Sequence, residues 1–117
     1  MPAINPFPEG YAKTLLSLAG FTVTESFKLT NQYWPACDRY REDIQDSPWW
    51  AFKTQHGVIV IGWRKRVIEI DWRFTAYRGK VTSDNVTQVD GSLAHAWSPI
   101  KAIEYLTFLK ETLDATV

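Results

Sequence analysis

The stretch from Trp49 to Trp72, WWAFKTQHGVIVIGWRKRVIEIDW, constrains the fold of this chain more than any other. Residues 58–63 (VIVIGW) are β-branched and aromatic and follow Gly57, which predicts a strand. Residues 66–72 alternate Ile68, Ile70 and Trp72 with Val67, Glu69 and Asp71, the two-residue period of a half-buried strand. Residues 49–54 (WWAFKT), entered after Pro48, predict a third. Turns at His56-Gly57 and Arg64-Lys65 join the three into a meander. The first turn sets Phe52 opposite Ile61 and Trp50 opposite Trp63. The second sets Trp63 opposite Arg66, Ile61 opposite Ile68 and Ile59 opposite Ile70. Both hairpins then place Trp50, Phe52, Ile59, Ile61, Ile68, Ile70 and Trp72 on one face. A one-residue slip would turn that whole set to water, so the face assignment is strongly specified. The opposite face holds Trp49, Ala51, Lys53, Val58, Val60, Val67, Glu69 and Asp71, a mixture that predicts cover by a second element or by a partner.

The flanks supply the other elements. Residues 1–8 (MPAINPFP) are proline-rich and predict an extended arm. Residues 9–19 place Tyr11, Leu15 and Leu18 on one helical stripe, with Gly20 as the stop. Residues 21–29 alternate Phe21, Val23 and Phe27 with polar residues and predict a strand. Residues 30–48 contain Pro35, Pro48 and mixed charge, and read as a loop with one helical turn around Asp38–Ile44. Residues 74–92 are rich in Gly, Thr, Ser, Asp and Asn and read as loop, with a short strand at Lys80–Thr82. Residues 93–97 (LAHAW) predict a strand. Ser98-Pro99 then provides an N-cap and a first-turn proline for a helix running to about Leu113, with Ile103, Leu106, Leu109 and Leu113 at helical spacing. The expected fold class is α+β: one domain over residues 1–117, an antiparallel sheet built on the meander, and N- and C-terminal helices packed on its aromatic face.

Composition narrows the function. A chain of 117 residues with 45% hydrophobic and 15% aromatic content builds one core and is not a disordered chain. Formal net charge is zero, so no global field draws the chain to nucleic acid or anionic membrane. The zero hides asymmetry. Arg64, Lys65, Arg66, Arg73, Arg78 and Lys80 stand close in sequence, while Asp38, Glu42, Asp43 and Asp46 make residues 38–46 acidic. The lone Cys37 excludes an internal disulfide. No apolar run approaches the roughly 18 residues of a membrane span, and the N-terminus lacks signal-peptide character, so the expected setting is the cytosol.

Catalytic signals are weak. His56 reads as a solvated turn residue and His95 as a satisfied structural histidine. Neither they nor Cys37 stand in a recognisable nucleophile context. Asp38, Glu42 and Asp43 alone make a poor oxygen site, no Cys/His spacing suits zinc, and the glycines are scattered. No cofactor, metal or catalytic residue is expected. The remaining signal is Trp63-Arg64-Lys65-Arg66, three adjacent cations at a hairpin tip. The predicted register places Trp49 beside Arg64, where cation–π stacking would hold the finger. The expected binding residues are Trp49, Trp63, Arg64, Lys65, Arg66, Arg73, Tyr77, Arg78 and Lys80. Such a set suits an acidic protein surface or a nucleic-acid backbone.

The run IGWRKRVIEIDW at 61–72, followed by HAWS at 95–98 and a short terminal helix, resembles small proteins of bacteriophages and prophages over roughly Pro48 to Leu113. The resemblance implies a bacterial cytosolic setting and a non-enzymatic protein that engages a host protein or protein complex. Some members of this class block host defence, so the implied role is an inhibitor of a system such as a CRISPR-Cas complex. The alternative expectation is a nucleic-acid-binding module using the basic hairpin and exposed aromatics. No membrane partner is expected.

Overall fold

The computed structural model describes residues 9–29, 49–64, 67–75, 81, 86–89 and 93–116, with backbone alone for Arg64, 86–89 and Thr116. Among them are helix α1 (Glu9–Leu18), strands β1 (Val23–Lys28), β2 (Trp49–Thr54), β3 (Gly57–Arg64), β4 (Val67–Thr75), β5 (Val86–Val89) and β6 (Leu93–Ala96), and helix α2 (Pro99–Thr116). The six strands form one antiparallel sheet in the order β1-β2-β3-β4-β6-β5. The class is α+β, as the sequence implies. The expected arm at 1–8 and helical turn at 38–44 lie outside the described residues. Among the described residues no helix is long and apolar enough to cross a membrane.

The meander forms with its predicted faces but a different register. Thr54 pairs with Gly57 and Phe52 with Ile59, so the first turn is Gln55-His56. Arg64 pairs with Val67 and Ile61 with Ile70, so Lys65-Arg66 join β3 to β4. Each hairpin is displaced by two residues from the expected pairing. An even displacement leaves every side chain on its own face, which is why the face assignment survives. Gly57 explains the first displacement. Its φ of +109° closes the turn as a strand residue, and a Cβ there would lie 2.6 Å from the Phe74 carbonyl oxygen. The Thr54 hydroxyl fixes the corner, accepting from the His56 amide at 3.1 Å and donating to the Gly57 carbonyl at 2.7 Å.

Both helices cover the aromatic face. Phe52, Ile59, Ile61, Ile68, Ile70 and Trp72 are buried with Ala94 and Ala96 of β6, under Leu15 and Leu16 of α1 and Tyr105, Leu106, Leu109 and Leu113 of α2. Ala12, Leu15, Leu16 and Ala19 face inward, whereas Tyr11 and Leu18 are exposed. Of the expected stripe Leu15 is buried while Tyr11 and Leu18 point out: the inward face is rotated to one that combines Leu15 and Leu16 with the small residues Ala12 and Ala19. The α1 terminus matches expectation. Gly20 (φ +102°) donates to the Ser17 carbonyl and Phe21 to that of Leu16, the paired bonds of a Schellman stop. At α2 the Ser98 hydroxyl accepts from the Lys101 amide at 3.2 Å, and the Ser98 carbonyl accepts the first helical bond from Ala102.

Ile68→Ala is an expected loss of about 2–5 kcal/mol, because the deleted atoms leave a cavity against a packed face. Urea unfolding with an unchanged slope would measure it; a loss below about 1 kcal/mol would contradict this packing.

Candidate binding surface

The charged residues of the sheet sort by strand position. Beyond Arg64 and Val67 the chain holds Lys65 and Arg66, whose structure, like that of Tyr77, Arg78 and Lys80, lies outside the described residues. Trp63 pairs with Ile68 and is half-buried against the core. β6 runs beside β4 with Ile68 opposite Ala96, which brings Trp97 level with Val67 at the end where the β3–β4 hairpin closes. Trp97 is 64% exposed, and Ile100, in the first turn of α2, is 67% exposed. The sequence pattern assigns 93–97 to a strand and leaves Trp97 out of the site. Its proximity to the basic hairpin depends on the β4–β6 pairing, a long-range arrangement that no local pattern encodes.

Two of the expected binding residues stand elsewhere. Trp49 is buried at 1% exposure with Ala51 and Val60, and packs with Leu29 and Val58. It pairs with Gly62, not with the Arg64 position expected from the sequence. It is thus a core residue of the second sheet face and not an exposed aromatic. Arg73 lies toward the other end of β4, roughly 20 Å along the strand from Val67 at about 3.3 Å per residue. Between the Val60–Asp71 and Val58–Phe74 pairs β4 carries one residue more than β3. The bulge redirects the strand there, and Phe74, which strict alternation would put beside Trp72 in the core, is 48% exposed. Arg73 folds back onto Asp71. Its backbone amide and Nε donate to the two carboxylate oxygens at 3.0 Å, and a terminal guanidinium nitrogen lies 2.9 Å from Oδ2. Its guanidinium also sits 5.3 Å from the Phe74 ring centre. Asp71 is fully buried, so Arg73 is spent on compensating a buried carboxylate.

The second face repeats that arrangement one row away. Glu69, 5% exposed, lies directly opposite His95, whose Nε2 is 2.7 Å from its carboxylate. The second face thus holds a small buried apolar cluster at Trp49, Ala51 and Val60 and two polar pairs, Glu69–His95 and Asp71–Arg73. His95 thus has Glu69 as a polar partner across the strand pair.

His56 is not the solvated turn residue expected. Its side chain is 9% exposed, meets Phe21 edge-on at 6.3 Å, and bonds Asp114 at 2.7 Å. Asp114 also accepts from Lys110 at 2.7 Å. The Lys110 hydrogen bond, then that of His56, holds the Asp114 carboxyl below its ordinary value of 3.8. A carboxylate whose folded value is lowered stabilises the fold above its unfolded value, and that contribution is lost as pH falls through the folded value. Asp114→Asn is therefore expected to melt below the wild type between pH 5 and 7, with the difference shrinking as pH falls below 3.8 and through the lowered folded value. Paired thermal melts across that range measure it; a gap that is constant with pH would refute the assignment.

Among the described residues no group of three or more His, Cys, Asp or Glu side chains is placed to hold a metal ion. No family model matches the chain, and neither a curated protein nor a solved structure matches it.

Proposed function

We propose that the chain is a small non-enzymatic binding protein of phage type that engages a bacterial host protein, acting in the host cytosol as an inhibitor of a defence complex. The supporting observation is the exposure of Trp97 and Ile100 at the end of the sheet where the chain carries Arg64, Lys65 and Arg66. Exposed large apolar side chains cost solubility and bring no packing, and Trp and Arg are the commonest interface anchors. Adjacent cations select a partner with an acidic rim and speed its approach. The polar pairs described above lie within the sheet, along α2, or between the β2–β3 turn and α2, which supports a binding role over a catalytic one.

Cations beside an exposed indole also suit single-stranded nucleic acid, which stacks bases on aromatic rings. Zero net charge weighs against this second reading, because the phosphate backbone dominates such affinity. The test is Trp97→Ala. The residue is 64% exposed, so the fold should hold. Removing a central anchor should weaken partner binding by about 2 kcal/mol or more, roughly thirtyfold. Affinity capture from bacterial lysate with and without nuclease, beside anisotropy with labelled oligonucleotides, separates the two readings. Unchanged capture by the variant would remove Trp97 from the surface.

A further inference from the structure

We propose that β5 is a self-association edge, along which a second copy of this chain adds its own β5 in antiparallel register and continues the sheet from one protomer into the next. β5 is an end strand: it pairs with β6 on one side, and among the described residues no strand pairs with the other. The opposite end of the sheet is blunted. β1 carries Glu25 and Lys28 and a register irregularity between Val23 and Glu25, features that oppose edge-to-edge pairing. β5 has the sequence VTQV, with no charge and no irregularity in its pairing to β6.

The occupant follows from symmetry and charge. An isologous interface sets one residue against its own copy, so a charged strand repels itself there. Antiparallel pairing about a two-fold axis perpendicular to the sheet preserves the faces, and the self-opposed residue of β5 is then Thr87 or Gln88, both neutral hydrogen-bonding types. Formal net charge is zero at pH 7, so two copies meet without net repulsion. The same axis brings both α2 helices to one side of the seam. α2 packs on β6 and β5, and α1 on β1 and β2. Lys110 of α2 faces the end of α1, its Cδ 3.0 Å from where a Cβ on Gly20 would stand. Phe108 lies about 160° around the helix from Lys110, on the flank turned away from α1 and toward the β5 edge. It is 41% exposed, and the second copy's α2 would cover it. The dimer presents two copies of the hairpin end, at opposite ends of a continuous sheet.

Sedimentation equilibrium of the full chain across a wide concentration range is the test. The weight-average mass should rise from 13.5 kDa toward twice that value. Thr87→Lys with Gln88→Lys places like charges opposite one another and should weaken association about tenfold or more. Mixing that variant with the Thr87→Glu, Gln88→Glu variant should restore association as a heterodimer, which altered folding would not produce. Should a charged variant fail to fold, hydrogen exchange of the wild type gives the same answer: the amides of 86–89 should gain protection as concentration rises. A wild type of 13.5 kDa at every concentration, or a dimer indifferent to both charge pairs, overturns the proposal.

Discussion

Trp72→Ala is expected to cost about 3–5 kcal/mol, a large part of the roughly 5–15 kcal/mol that holds a typical domain. Trp72 is among the largest side chains with no exposure and stands in the middle of the helix-covered face. Its ring centre is 5.5 Å from that of Tyr105, and the Tyr105 hydroxyl donates to the Val81 carbonyl at 3.2 Å. Removing the indole therefore loosens the seat of α2 and the anchor of Val81 together. Trp72→Phe should cost less than half as much. It keeps an aromatic ring against Tyr105 and deletes an Nε1 that is buried with no hydrogen-bond acceptor in reach among the described residues. A buried donor without an acceptor costs about 1–3 kcal/mol, which offsets part of the cavity left by the smaller ring. Urea unfolding of both variants measures the contrast, and equal losses would mean that the indole N–H is satisfied in solution.

The contrast between Trp72 and Phe74 shows where local pattern stops being informative. Period two places Ile68, Ile70 and Trp72 on one face, and the structure agrees. Nothing in DWRF announces the bulge that puts Phe74 at 48% exposure. Its evident stabilisation is the Asp71–Arg73 pair, a two-residue interaction that reads in sequence as ordinary alternating charge. Register is similarly half-legible. A two-residue displacement preserves every face, so burial patterning cannot detect it; in the first hairpin the positive φ of Gly57 accounts for it. In α1 the apolar pattern finds Leu15 but also points to Tyr11 and Leu18, while packing buries Leu16, Ala12 and Ala19 beside Leu15 instead. β5 escapes local reading because VTQV sits in a segment rich in turn formers and, among the described residues, pairs along one side only. For the binding surface, the cationic run is legible as residue types. Its companion Trp97 is not, and neither is the separation of Arg73 from it, because both follow from strand pairing between distant segments.

Arg64→Ala, Lys65→Ala and Arg66→Ala made together should leave the fold nearly intact and abolish the proposed partner binding. Arg64 ends β3 and Lys65 and Arg66 follow it in the chain, and surface charge changes of this kind usually move stability by no more than about 0.5 kcal/mol per site. On an acidic protein partner, these cations would act mainly during encounter. Association should slow by one or more orders of magnitude at low salt, and the wild-type advantage should fade as salt screens it beyond about 10 Å. On nucleic acid the signature differs. The slope of log affinity against log salt should flatten by about one unit for each phosphate that is no longer neutralised, while the stacking share carried by Trp97 persists. Combining the triple change with Trp97→Ala separates anchor from steering, because the anchor acts on dissociation and the charges on association. Arg73→Ala is the internal control. It lies at the far end of β4 and compensates buried Asp71, so it should lower stability and leave binding kinetics unchanged. If Arg73→Ala slowed association while the hairpin triple did not, the binding surface would belong at the other end of the sheet, beside Phe74.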